Sequence, residues 1–97
     1  MSWDEAMPQY QQRWQERYGS SGGRWQDYEP GYRYSHEMAN DPRFRDRDWN
    51  EVEPEFQRGY SDWSRRNGYV SEGNAWDRIR NNVRESWEEA RTRGSRR

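Results

Sequence analysis

Asp48-Trp49-Asn50-Glu51-Val52-Glu53-Pro54-Glu55-Phe56 decides how this chain folds, because its Trp with apolar residues three and seven places later recurs three more times. Trp3-Ala6-Tyr10, Trp25-Tyr28-Tyr32 and Trp76-Ile79-Val83 share the spacing. Pro8, Pro30 and Pro54 each stand five places after their Trp, and Asn81 holds that place in the last unit. Another ring follows at the eleventh place: Trp14, His36, Tyr60 and Trp87. At about 100° per residue these places fall within an arc of roughly 80°, a narrow apolar stripe along a helix. The units start 22, 24 and 27 residues apart, which suits one helix and one loop each. The fold expected is therefore all-α, a small bundle of three to four helices joined by loops around an aromatic-rich core.

The prolines sit on the face opposite the stripe. An interior proline costs about 3 kcal/mol, so each Trp is expected to begin a one-turn lead-in, with the regular helix opening at the proline and the residue before it non-helical. The fourth unit has no proline and can run unbroken from about Ala75 to Thr92.

Working outward, Ser2 and Glu5 form a capping box for a first helix over residues 1–18, whose stripe is Trp3, Met7, Tyr10, Trp14 and Tyr18. Residues 19–24 form a Gly/Ser linker, so this helix is free to sit at the periphery or to reach a neighbouring molecule. Residues 25–92 form the helical core and 93–97 an Arg-rich tail. Within the core, Asn40-Asp41-Pro42 stops the second helix, and Phe44 plugs the core from an alternating-charge loop. Asp48 with Glu51 caps the third helix, Asp62 pairs with Arg66, Asn67-Gly68 ends it, and Asn74 caps the fourth. The core expected from this pattern joins Trp25, Tyr28, Tyr32, Phe44, Val52, Phe56, Tyr60, Trp63, Trp76, Ile79, Val83 and Trp87.

With 28% hydrophobic and 36% charged residues the composition leans toward disorder, but the aromatics oppose that reading. Sixteen Trp, Tyr and Phe, each able to bury roughly 150–250 Å², replace the leucines that the chain lacks. Cys and Lys are absent too, so all 17 basic residues are Arg, suited to stacking on rings and to two-point contact with carboxylates. The net charge of -1 excludes a global pull toward nucleic acid, but it hides a split: 8 Arg against 13 acids up to residue 62, then 9 Arg against 5 acids. No stretch approaches the roughly 20 apolar residues of a membrane span, and Met1-Ser2-Trp3-Asp4-Glu5 has neither part of a signal peptide, so a cytoplasmic protein without a membrane partner is expected.

Catalytic parts are few. His36 is the only histidine and holds an aromatic place of the repeat, so a packing role is expected. Asp41, Asp46, Asp48 and Glu51 lack the spacing of a calcium loop and share it with Arg43, Arg45 and Arg47, which points to ion pairs and caps. No catalytic, cofactor or metal residues are assigned. The candidate partner-binding residues are the Tyr28, Tyr32, Arg33, Tyr34 cluster on helix 2 and Arg78, Arg80 and Arg84 on helix 4.

Three stretches resemble a known family: Tyr28-Glu29-Pro30-Gly31-Tyr32-Arg33-Tyr34, then Met38-Ala39-Asn40-Asp41-Pro42-Arg43-Phe44-Arg45, then Arg47-Asp48-Trp49 with Val52-Glu53-Pro54-Glu55. They are similar to the uncharacterised C-terminal helical module of bacterial stress-associated proteins, including cyanobacterial akinete-marker and general-stress proteins. The likeness runs from about Met7 to Trp87 and departs at Ser35-His36, at Asp46 and at Tyr69 to Gly73. It implies a helical, cytoplasmic, stress-linked protein with no assigned reaction. The function expected is a non-catalytic interaction module. Its partner is another copy of itself or another protein, because surplus rings would leave exposed patches. The competing reading is nucleic-acid binding through the Arg78, Arg80, Arg84 face and the tail from Arg91.

Overall fold

The computed structural model describes residues 2–20, 22–69 and 75–95, with side chains of the last helix described from Trp76 to Ala90. Four helices account for most of them: α1 Trp3–Tyr18, α2 Trp25–Ala39, α3 Trp49–Arg66 and α4 Ala75–Ser95, with a 3-10 turn at Pro42–Phe44 between α2 and α3. The expected all-α bundle with an aromatic core is what forms. Helix α4 passes Thr92 and takes in the first part of the expected tail. The expected Asn74 cap, the side chains of Arg91 and Arg93, and Arg96 and Arg97 lie outside the described residues.

The helix starts follow from local chemistry. The Ser2 hydroxyl accepts the Glu5 N–H at 3.4 Å while Glu5 accepts the Ser2 N–H at 3.2 Å. At α3 the Glu51 carboxylate accepts the Asp48 N–H at 3.1 Å. These caps place the first helical residue of α1 and α3 at Trp, and α2 starts at Trp25 without a side-chain cap. That corrects the expected lead-in: Pro8, Pro30 and Pro54 lie inside continuous helices, and Met7, Glu29 and Glu53 before them are helical. The i→i−4 ladder is already running ahead of the proline, with Ala6 N–H on the Ser2 carbonyl at 3.0 Å and Val52 N–H on that of Asp48 at 3.1 Å. A proline at the sixth helical place removes one donor, the partner of the second residue's carbonyl. Those residues are Asp4, Gln26 and Asn50, all exposed, so water can take the vacant acceptor. Pro8 and Pro54 are exposed as expected, whereas Pro30 is buried.

The α3 C-terminus closes with paired bonds from Tyr69 N–H to the Ser64 carbonyl at 2.8 Å and from Gly68 N–H to that of Arg65 at 3.2 Å. Gly68 takes φ +81, the left-handed conformation this cap requires, and Tyr69 then stacks on Trp63 with ring centroids 5.6 Å apart. The Asp62 carboxylate pairs with Arg65, one place earlier than the expected Arg66, whose Nε reaches the Asp62 carbonyl at 3.4 Å.

The rings form two bodies that share α2. The larger joins Tyr34, Phe44, Trp49, Val52, Phe56, Tyr60, Trp63, Trp76, Ile79, Val83 and Trp87. The smaller joins Ala6, Tyr10 and Trp14 of α1 to Tyr32, edged by Trp3, Tyr18, Trp25 and Tyr28. Trp25, Tyr28 and Tyr32 therefore pack on α1 and not in the α2–α4 core where they were expected. The reason is angular: Tyr32 and Tyr34 are two residues apart, about 200° around the helix, so burying both puts a neighbour on each side of α2. Tyr34 occupies the centre of the larger body, against Phe56, Tyr60, Trp63 and Trp76, and its hydroxyl donates to the Phe56 carbonyl at 2.7 Å. Phe44 plugs this core as expected, edge-on to Phe56 at 5.0 Å.

Two glycines let the helices close. A Cβ on Gly31 would stand 2.6 Å from Asn82 Nδ2, and one on Gly59 would stand 3.2 Å from the Tyr34 hydroxyl. Asn82 uses that proximity to donate to the Tyr28 carbonyl at 3.1 Å, which ties α4 to α2. Gly31→Ala should cost about 1–3 kcal/mol by overpacking, less the gain of about 1 kcal/mol that Ala brings to a helix. In an Asn82→Ala background the clash is gone, so urea unfolding should show the same substitution becoming stabilising; an equal loss in both backgrounds would contradict the close-approach assignment.

Candidate functional site

The cap that ends α3 sets Tyr69 beside α2, where its hydroxyl donates to Glu29 Oε2 at 3.1 Å. Further along the same face of α2, Trp63 Nε1 donates to Glu37 Oε1 at 3.1 Å and Arg33 pairs with Glu37 at 3.3 Å. Hydrogen bonding to Tyr69, with Glu37 adding charge, holds the Arg33 guanidinium above its ordinary pKa. Glu29, Arg33 and Glu37 thus form a polar strap along one side of α2, with Tyr69 and Trp63 as its apolar backing.

Next to this strap, between the start of α2, the α3 cap and the first half of α4, lies a groove of about 730 Å³. Buried Tyr60 and Ile79 form its base, Tyr28, Pro30 and Tyr69 line it, and exposed Arg78 stands at its edge. Tyr28 leads out of the groove to the α1 side, stacking on Tyr18 at 5.2 Å and meeting Trp14 at 5.5 Å.

Of the seven candidate partner-binding residues, the structure brings only Tyr28 and Arg78 to one place. Tyr32 and Tyr34 are buried at 4% and 3% exposure, so they cannot present the surface expected of them. Arg33 belongs to the strap. Arg80 pairs with Glu53, whose carboxyl is held below the usual range chiefly by that hydrogen bond, and Arg84 lies 3.6 Å from Glu88. Two of the three guanidiniums on the supposed nucleic-acid face are thus matched by carboxylates. Tyr60, Tyr69, Pro30 and Ile79 were not anticipated at a site. Tyr69 was findable, since an aromatic directly after Asn67-Gly68 is where a helix-capping glycine places a residue against the helix it ends.

Several other chemistry-bearing residues are engaged. The Tyr10 hydroxyl and His36 Nδ1 share a hydrogen bond of 3.1 Å, with the Trp3 ring 6.0 Å from the imidazole, in line with the packing role expected of His36. Asp41 accepts from the Arg43 side chain at 2.8 Å and from its N–H at 2.9 Å, contacts that hold its carboxyl low. Arg43 and Arg47 lie over the Phe44 ring at 5.1 and 5.8 Å, and Arg47 also pairs with Glu55 at 2.6 Å. Among the described residues no group of three His, Cys, Asp or Glu is placed to hold a metal ion, and no helix is long and apolar enough to cross a membrane.

In comparisons with known proteins, no family model, no curated protein and no solved structure matches the chain.

Burial pushes the Tyr32 and Tyr60 phenols up to about 12 and the Tyr34 phenol higher still, from an ordinary value of 10.0. All three are neutral in both folded and unfolded chains at neutral pH. Between the unfolded and folded values only the unfolded chain loses these protons, so stability falls as pH rises. Urea midpoints should hold steady to about pH 9 and then drop from about pH 10 upward, in step with the late part of the tyrosinate absorbance titration. A midpoint unchanged to about pH 12 would show that these phenols are not sealed from water.

Proposed function

We propose that this chain is a non-catalytic interaction module that associates with a second copy of itself and serves a bacterial stress response in the cytoplasm. The observation that carries the reading is the row of half-covered rings along one edge of the fold. Eleven of the sixteen rings are buried, and the other five, Trp3, Tyr18, Trp25, Tyr28 and Tyr69, are half-buried. Tyr18, Tyr28 and Trp25 gather where α1 meets α2, linked through Tyr28–Tyr18 and through Trp14, which touches Trp25 and Tyr28. Tyr28 and Tyr69 then line the groove. Because α1 covers its share, the patch is smaller than the ring count alone suggests. It is nevertheless a contiguous aromatic edge among charged neighbours, the composition that association surfaces favour.

The non-catalytic part of the reading draws support from how the reactive groups are used. His36 is tied to Tyr10, and Asp41 and Glu53 are driven toward the charged form by Arg, the opposite of what a proton donor needs. The stress-linked and cytoplasmic parts rest on the resemblance of residues 28–34, 38–45, 47–49 and 52–55 to the bacterial stress-associated module.

Light scattering across the micromolar range tests the association. The mass should rise above 12.0 kDa with concentration and hold or increase at high salt, because ring burial is not screened. A mass of 12.0 kDa at every concentration overturns the reading. Tight binding to single-stranded DNA that weakens steeply with salt would put nucleic acid in its place.

A further inference from the structure

The α2–α4 body is closed without α1: every member of the larger ring cluster comes from α2, the 3-10 turn, α3 or α4. Helix α1 is added to it through a separate set of contacts. Running antiparallel to α2, it places Trp3 and Tyr10 on His36, Tyr10 on Tyr32, Trp14 on Trp25 and Tyr28, and Tyr18 on Tyr28. Its other edge is pinned to α4 by charge. Arg13 meets Glu89 at 2.8 Å, Arg17 meets Glu89 at 3.1 Å and Glu85 at 3.4 Å, and the Tyr18 hydroxyl donates to Glu85 at 2.9 Å.

Between α1 and α2 lies a tether of six residues, Gly19 to Arg24, three of them glycine, with Gly22 at φ +89. That backbone turn is open to glycine and strained for other residues. Opened out, the tether spans about 20 Å, enough for α1 to leave its own body and lie on a neighbouring one.

We infer that α1 is an exchangeable element, through which two copies of this chain join by each docking its α1 on the α2–α4 body of the other. The partner is a second copy because the dock is already specified by the chain's own α1. Rings and ion pairs are the same whether α1 comes from the same chain or its neighbour, so tether geometry and concentration set the balance. A 16-residue helix with an interior proline is marginal alone, so an undocked α1 is driven to dock again on whichever body is near. This inference rests on the proposed self-association and adds α1 exchange to it, beside the ring edge.

Charge reversal in trans tests it with the full chain. One variant carries R13E and R17E, the other E85R and E89R, so within either variant α1 faces like charge. In an equimolar mixture each α1 finds opposite charge only on the other variant's body. The expected result is a 1:1 heterodimer of twice 12.0 kDa in the mixture and a mass near 12.0 kDa for each variant alone. Two monomers in the mixture, with each variant shown folded by its near-ultraviolet circular dichroism, overturn the inference. Should either variant not fold, a chain with Gly19, Ser20, Ser21 and Gly22 replaced by Ala decides. A helical tether holds α1 away from its own body, so that chain should be dimeric, and a 12.0 kDa monomer overturns the inference. Association of the unaltered chain without complementation in the mixture sinks the exchange alone. A monomeric unaltered chain sinks the self-association reading itself.

Discussion

The fold depends on how closely α2 approaches α4. With no Cβ on Gly31, the Asn82 amide reaches the Tyr28 carbonyl across the interface, and the two backbones come near enough for Tyr34 to enter between α3 and α4. Gly59 clears the space where the Tyr34 hydroxyl meets the Phe56 carbonyl. A larger residue at Gly31 would push the Asn82 amide off the Tyr28 carbonyl, and one at Gly59 would press on the Tyr34 hydroxyl that donates to the Phe56 carbonyl, each loss costly in a packed interior. Once Tyr34 is seated, four aromatic neighbours are positioned by one side chain, and a core without leucine becomes possible.

The repeat made the four helices legible. Each of its seventh and eleventh places, from Tyr10 and Trp14 to Val83 and Trp87, is buried. A stripe shows which face of a helix is apolar; it does not show which neighbour covers it, so Trp25, Tyr28 and Tyr32 belong to the α1 body and not to the one their stripe predicts. The pair Tyr32 and Tyr34 contained the correction, since rings on opposite sides of one helix require two partners. The prolines are tolerated inside the helices because each orphaned carbonyl belongs to an exposed residue that water can satisfy, so the helix-interior penalty does not set where the helices start. The site was hardly legible at all. The groove depends on Tyr60, Tyr69 and Ile79 meeting from α3, the cap that follows it and α4, and the pairing of Arg80 with Glu53 joins residues 27 apart in sequence.

Arginine holds the exterior of this fold as the rings hold its interior. Arg13 and Arg17 fasten α1 to α4, Arg80 fastens α4 to α3, Arg33 belongs to the strap beside Tyr69, and Arg47 covers Phe44 while reaching Glu55. The same pairing spends the guanidiniums that a phosphate-binding face would need and keeps carboxylates ionised. Among the described residues the aromatic edge and the groove remain open, and the proposed association is argued from them.

Two ring bodies sharing one helix imply two levels of stability: α2, α3 and α4 rising and falling together, and α1 opening by itself. Native-state hydrogen exchange under increasing denaturant measures this helix by helix. The account predicts that α1 amides exchange through an opening of lower free energy and weaker denaturant dependence, while protected amides of α2, α3 and α4 merge at the global unfolding value. A single isotherm for all four helices, or an independent opening of α3 or α4, would contradict it.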